Sequence, residues 1–252
     1  MTRKGLQLYT IRTLLEKDFL GTLKKVADLG YEGVQFAGYF DTPADRLNQA
    51  LKEYELKAAG SHVPYDQITG DGLKQVISYN QAIGNDLIIM PYLAEEQRTG
   101  LDDYKRIAEE LNKAGSVIMQ EGMQLAYHNH DFEFHTFGEQ TPFDVLLNET
   151  DAKLVKFELD CYWVSYAGLD PLALIKEQRE RVVTLHIKDM KETNGEKQST
   201  VIGTGQLDMK SLLNLGKELE LPWFIVEQEH FEGDLMEAVA LNSKKMDELL
   251  KA

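Results

Sequence analysis

Cysteine is almost missing from this chain. Cys161 is the single one among 252 residues, so no disulfide can form within the chain and a cysteine-built zinc cluster is excluded. Long apolar runs are missing too. Nothing approaches the roughly 20 consecutive apolar residues of a membrane-spanning helix, and the start, MTRKGLQLYTIR, has no apolar core of the signal-peptide kind. A cytoplasmic location is the expectation. Positive charge is short: 27 Lys and Arg face 42 Asp and Glu, a formal net charge of −15. Such a field repels phosphate backbones and anionic membranes, so neither nucleic acid nor a membrane is expected as a partner. A glycine-rich phosphate loop after the first strand is also absent, because QLYTIRTLLEKDF contains no glycine. That argues against an open, doubly wound nucleotide-binding sheet.

What the chain does have is a regular alternation of short β-prone runs with longer helix-periodic ones. The strand candidates cover residues 5–11, 30–36, 56–63, 86–92, 123–130, 154–160, 182–190 and 223–229. Between them, stretches such as FLGTLKKVADLG and LDDYKRIAEELNKAGSVIMQ place apolar residues at three- and four-residue spacing, as amphipathic helices do. Thr42-Pro43, Thr141-Pro142 and Asp170-Pro171 set a capping oxygen before a proline suited to the first helical turn, and Asp208 is a further N-cap. Gly30, Gly84 and Gly122 follow periodic stretches as helix stops do. No low-complexity linker divides the chain. Eight βα units predict one α/β domain over residues 1–252, a single (β/α)8 TIM barrel.

The six histidines avoid the predicted helices. His62 lies in the third strand, His128 and His130 end the fifth, His186 is in the seventh, and His135 and His230 follow strands. The C-terminal ends of parallel barrel strands face one way, so these side chains can converge on one mouth. Alternation sharpens the reading. In VVTLHIKDM, Val183, Leu185 and Ile187 face outward and His186 and Lys188 inward. In LVKFELD, Glu158 and Asp160 face inward, and in WFIVEQE, Glu227 and Glu229 share one parity. Buried carboxylates need compensation. Lys156 and Lys188 can supply it through ion pairs. A divalent metal can supply it too, for which Asp160, His186 and Glu227 make a familiar donor set. In YHNHDFEF, His128 and His130 point inward, and Glu133 has the opposite parity unless a bulge turns it back. The fourth ligand is therefore Glu133 or one of the two histidines.

With these residues in place, the chain resembles the sugar phosphate isomerase/epimerase family. These are xylose isomerase-like TIM barrels that include ketose 3-epimerases, inosose dehydratases and endonuclease IV. The resemblance spans essentially the whole length and rests on YHNHDFEF, ELDCYWV followed by AGLDP, LHIKDM, GTGQLD and IVEQE, in that order. It implies one divalent ion, Mn²⁺, Co²⁺, Mg²⁺ or Zn²⁺, held by Glu133, Asp160, His186 and Glu227. It also implies acid and base roles for Glu133 and Glu227 on opposite faces of a bound sugar. Two departures from the ketose epimerases stand out: Trp163 replaces a substrate-binding histidine, and the fifth strand is histidine-rich. That strand resembles the inosose dehydratase branch, in which an imidazole such as that of His130 serves as acid or base.

The resulting expectation is a metal-dependent isomerase or epimerase that abstracts a proton beside the carbonyl of a small keto- or aldo-sugar. The alternative is a metal-dependent keto-sugar lyase or dehydratase. An endonuclease of the endonuclease IV type, or a non-catalytic sugar-binding barrel, ranks below both. His62, His128, Lys188, Trp163 and Gln7, with Tyr9 beside it, are the expected sugar contacts. For His62 and Trp163 ordinary structural roles compete, and Lys188 is open to simple pairing with Glu158 or Asp189. Gly203-Thr204-Gly205 is a weak phosphate-loop candidate. The expected partner is a small sugar, and pairing into a homo-oligomer stays open.

Overall fold

Eight parallel strands close on themselves in the computed structural model, which describes residues 2–251. They are β1 (Arg3–Gln7), β2 (Gly33–Phe36), β3 (Lys57–His62), β4 (Leu87–Met90), β5 (Gln124–His128), β6 (Val155–Asp160), β7 (Val182–Ile187) and β10 (Trp223–Val226). Each pairs with the next in chain order, and β10 closes the ring against β1, Leu6 lying opposite Val226. Closure removes every sheet edge and buries both faces of each strand. The (β/α)8 expectation holds. Among the described residues no helix is long and apolar enough to cross a membrane.

Local chemistry explains the element ends. The first run stops at Gln7, not residue 11, because the Gln7 side chain accepts from Tyr9 N and turns Leu8–Ile11 into a 3-10 helix. Thr141 caps Pro142–Glu149 in a reciprocal box with Asp144, Asp170 caps Pro171–Glu177, and Asp208 caps Met209–Glu218. Thr42 does not cap Ala44–Glu53. Phe40 and Asp41 both take positive φ, and the Thr42 hydroxyl bonds Phe40 O instead. The seventh run stops at Ile187, and Asp189–Thr193 (β8) and Glu196–Thr200 (β9) form a separate antiparallel hairpin. Its turn is Asn194-Gly195, both at positive φ, a strong hairpin signal that the βα reading passed over.

The main core lies between barrel and helices, and the lumen is filled by two small apolar groups. One is Ala59, Trp223 and Ile225; the other is Leu87, Ile89 and Ala126. Val183 packs on the second group, so it faces inward and not outward. A register shift where Phe157 and Glu158 pair with β7 breaks the alternation there. Leu185 and Ile187 join the outer core as expected. Above these apolar layers the lumen turns polar.

Candidate active site

The polar layer begins with register. His128 sits beside Glu158, and Asp160 beside His186, while Ile225 pairs with His186 and so sets Glu227 just above it. Strand alternation sends all of these side chains into the mouth. Glu158 is wholly buried at the centre of the layer. Its Oε1 lies 2.8 Å from His62 Nε2, 3.1 Å from His128 Nδ1 and 3.0 Å from His186 Nε2. Gln35 Nε2 donates to the other oxygen at 2.5 Å. Gly60 makes this possible: a Cβ there would stand 3.1 Å from Gln35 Nε2 and 2.8 Å from Ile89 Cδ1. Burial pushes the Glu158 carboxyl up, but the His186 charge and the hydrogen bonds from the imidazoles outweigh it and hold the pKa well below the usual range.

A second group lies one layer nearer the mouth. Asp160, His186 and Glu227 each offer a ligating atom, all within 4.8 Å of one another. Asp160 Oδ1 accepts from Tyr162 N at 2.8 Å and Trp163 N at 3.1 Å, which starts the short helix Cys161–Tyr166. Its Oδ2 is buried with no hydrogen-bond partner among the described residues. That oxygen lies 3.8 Å from His186 Nδ1 and 4.0 Å from His128 Nε2. Glu227 Oε2 lies 3.2 Å from His186 Nδ1 and 3.4 Å from Lys188 Nζ. Burial pushes Asp160 up, to about 7, against the opposing pull of Lys188 and His186. Burial disfavours the His186 cation, yet Glu158 and Glu227 raise its pKa to about 10. A buried, unpartnered carboxylate oxygen beside an imidazole nitrogen and a second carboxylate fits a divalent ion.

Lys188 is wholly buried and pairs with Glu227 and Glu229, not with Glu158 or Asp189. Asp189 instead accepts from Gly203 N at 2.8 Å and Gly205 N at 2.9 Å. Those amides are the groups a phosphate would need, so the Gly203-Thr204-Gly205 loop is closed to one. Glu133 is also wholly buried but stands apart from the donor group. One oxygen takes the Tyr127 hydroxyl and the other His130 N at 2.8 Å, and burial pushes its pKa up to about 7. The bulge that would return it to the mouth is not formed; a 3-10 turn over Phe132–Phe134 directs it into the wall.

A cavity of about 820 Å³ opens above these residues, with His62, His128, His130, Trp163 and Glu227 on its inner wall. Tyr9 reaches its rim, but Gln7 does not. The Gln7 amide is used up on Gln35 at 2.6 Å and His62 at 3.3 Å, so the expected sugar contact becomes a support. His130 Nδ1 is buried without a hydrogen-bond partner among the described residues, its ring stacked on Phe132 and tilted against Trp163. Burial first, then the charges of His128 and Lys188, depress its pKa well below the ordinary range. Gln35 and the aromatic wall of Tyr39, Phe40 and Tyr92 escaped the sequence reading. Glutamine and tyrosine carry no motif by themselves, though the shared parity of Gln7 and Gln35 on adjacent strands was available.

A parallel eight-stranded barrel whose C-terminal mouth gathers carboxylates, imidazoles and a cavity has the site architecture of TIM-barrel enzymes. The chain belongs to the xylose isomerase-like TIM barrel family, whose profile matches residues 23–247. It is 29% identical over 255 residues to the inosose dehydratase of Clostridium beijerinckii, covering 85% of this chain and 83% of that one. It is 25% identical to a sugar phosphate isomerase/epimerase from Parabacteroides distasonis, with a TM-score of 0.83 and coverage of 99% and 98%. The fold is also that of the IolI protein, solved with a zinc atom, at 15% identity, a TM-score of 0.78 and coverage of 99% and 98%.

Proposed function

We propose that this protein is a divalent-metal-dependent enzyme that removes a proton beside the carbonyl of a small keto-sugar, with elimination of an oxygen leaving group as the outcome. The observation that carries the reading is Asp160 Oδ2, buried and unpartnered among the described residues, within reach of His186 Nδ1 and Glu227. Asp160, His186 and Glu227 would hold the ion. His128 Nε2, 4.0 Å from Asp160 Oδ2, replaces Glu133 as the fourth donor in this proposal. When bound, such an ion polarises the carbonyl and makes the neighbouring C–H acidic.

The chain's own residues do the rest. His130, which lines the cavity and is kept neutral by its surroundings, takes the proton from the α-carbon. The C–H pair becomes the new double bond, the β C–O bond breaks, and the imidazolium returns its proton to the departing oxygen. Trp163 provides an apolar wall against the sugar face, and Lys188 holds Glu227 in place. Elimination ranks above epimerisation because the Glu133 carboxylate is engaged in the wall, so the two opposed glutamates of an epimerase are not assembled. The likeness to inosose dehydratases supports this order, and the zinc of the IolI structure supports a metal.

One observation favours isomerisation or epimerisation as the second reading: Glu227 and His130 line the same cavity and can act as a base pair across a sugar. Incubation with inososes and ketoses in D₂O, with Mn²⁺, Co²⁺, Mg²⁺ or Zn²⁺ added, separates the two. Growth of enone or diketone absorbance marks elimination, and deuterium uptake at carbon without it marks the second reading. Neither signal with any of the four ions would sink both.

A further inference from the structure

Glu158 is a carboxylate that the proposed chemistry does not consume, yet three imidazoles converge on a single oxygen of it. We propose that Glu158 is a positioning residue whose Oε1 fixes the ring orientation of His62, His128 and His186 and the tautomer of the first two. By doing so it turns His128 Nε2 and His186 Nδ1 toward the cation site. Its second part rests on the metal reading above; its first does not.

An ionised carboxylate only accepts hydrogen bonds, so each nitrogen facing it must carry the hydrogen. His62 and His186 approach Oε1 through Nε2, at 2.8 and 3.0 Å, and His128 approaches through Nδ1, at 3.1 Å. His62 and His128, whose rings lie 5.1 Å apart, are therefore held in opposite tautomers. For His62 the remaining nitrogen, Nδ1, accepts from Gln7 Nε2 at 3.3 Å. For His128 it is Nε2, which faces Asp160 Oδ2 at 4.0 Å. For His186 it is Nδ1, which faces Glu227 at 3.2 Å and Asp160 at 3.8 Å; by the same rule it carries a hydrogen donated to Glu227, which a bound ion would displace. The free His128 lone pair and the His186 nitrogen thus both point toward the buried Asp160 oxygen that lacks a partner among the described residues.

The hub is polarised from outside as well. Gln35 Oε1 accepts from Gln7 Nε2 at 2.6 Å and lies 2.7 Å from His186 Nε2, which leaves its Nε2 to donate to Glu158 Oε2 at 2.5 Å. A glutamine at position 158 would have to turn its own NH₂ either toward that donor or toward three others. The negative charge, and not merely the shape, is what lets one residue accept from four sides.

The same four residues, His62, His128, His186 and Glu158, each offer one ligating atom within 4.8 Å of the others and make a rival cation cage. Hydrogens and a cation are mutually exclusive there. The full set of hydrogen bonds around Glu158, against the orphaned oxygen on Asp160, favours the hydrogens.

Long-range ¹⁵N–¹H correlation on the ¹⁵N-histidine-labelled full chain, first in EDTA and then with Zn²⁺, reads each ring. His128 is expected as the Nδ1–H form and His62 as the Nε2–H form in both conditions. With Zn²⁺ bound, His186 keeps its hydrogen on Nε2 while its Nδ1 resonance moves. Loss of the hydrogen from His62 Nε2 or His128 Nδ1 on adding Zn²⁺ would overturn the assignment in favour of the cage. Glu158→Gln is expected to mix the tautomers and weaken Zn²⁺ binding by about 10–100-fold, as loss of a supporting hydrogen bond to a ligand does. An unchanged tautomer pattern in Glu158→Gln would also overturn it. The double variant Glu158→Gln/Gln35→Glu exchanges donor and acceptor across the pair and is expected to restore the pattern, including where the single variant folds poorly. Should no ion bind at all, the spectra in EDTA still test Glu158, and only the metal reading falls.

Discussion

Replacing Lys188 by methionine exposes the charge balance of the mouth. Lys188 is wholly buried, and its ammonium lies between Glu227 and Glu229, with the Tyr162 and Trp163 rings about it. Methionine keeps most of the stem volume and removes the charge. Glu227 and the unpartnered oxygen of Asp160 then share a desolvated space with His186 as their only close cationic partner among the described residues. Removing one member of a buried ion pair typically costs about 3–5 kcal/mol, because the other charge stays behind in low dielectric. A divalent ion supplies the missing charge. Binding at a thousandfold excess over Kd adds about 4 kcal/mol to a folded protein whose unfolded chain does not bind the ion, and the variant gains more than the wild type because Lys188 no longer competes for Glu227. Urea unfolding followed by circular dichroism, in EDTA and in excess Mn²⁺, measures both. The expected outcome is a loss of about 3–5 kcal/mol in EDTA, most of it recovered with Mn²⁺. A loss below about 1 kcal/mol in EDTA, the range of exposed pairs, or a deficit that Mn²⁺ leaves untouched, refutes the reasoning.

Three further predictions follow from single side chains. Asp160→Asn keeps an acceptor for Tyr162 N and Trp163 N and removes the orphaned charge. Thermal stability in EDTA should therefore hold or rise, while calorimetric affinity for Mn²⁺ falls beyond the ~100-fold of an indirect supporting change. Glu133 carries a pKa raised from 4.5 to about 7 by burial, with the Tyr127 and His130 hydrogen bonds only partly opposing it. The native state thus keeps a proton that the unfolded chain has released, so stability falls as pH rises from about 4.5 to about 7 and levels off above. Glu133→Gln should remove that slope in chemical unfolding across the window, whatever constant cost its amide adds; an unaltered slope contradicts the assignment. Thr141→Ala breaks the capping box on Pro142–Glu149 and should cost about 1 kcal/mol in the same assay.

Much of this architecture was legible in the chain because it depends on local periodicity. Eight alternating runs gave the strand order. Within LVKFELD and VVTLHIKDM the parity of Glu158, Asp160, His186 and Lys188 was readable, since side chains of a regular strand alternate faces whatever surrounds them. Caps at Thr141, Asp170 and Asp208 were readable for the same reason, their partners lying two or three residues away. Where the backbone leaves regularity the local rule lapses. Val183 turns inward at a register shift, Thr42 loses its capping role to a turn with two positive φ values, and Glu133 leaves the fifth strand on a 3-10 turn.

Tertiary closure alone decided the pairings. Gln35 and Glu158 are 123 positions apart, and His62 and Glu158 are 96 apart; they meet because the ring brings distant strands face to face across one lumen. Sequence could say that carboxylates and imidazoles face inward. Which carboxylate gathers the histidines, which keeps an oxygen without a partner, and which is drawn into the wall depend on distances of a few tenths of an ångström between strands. Those distances are set by barrel packing, and a hydrogen bond is made or lost over just that range.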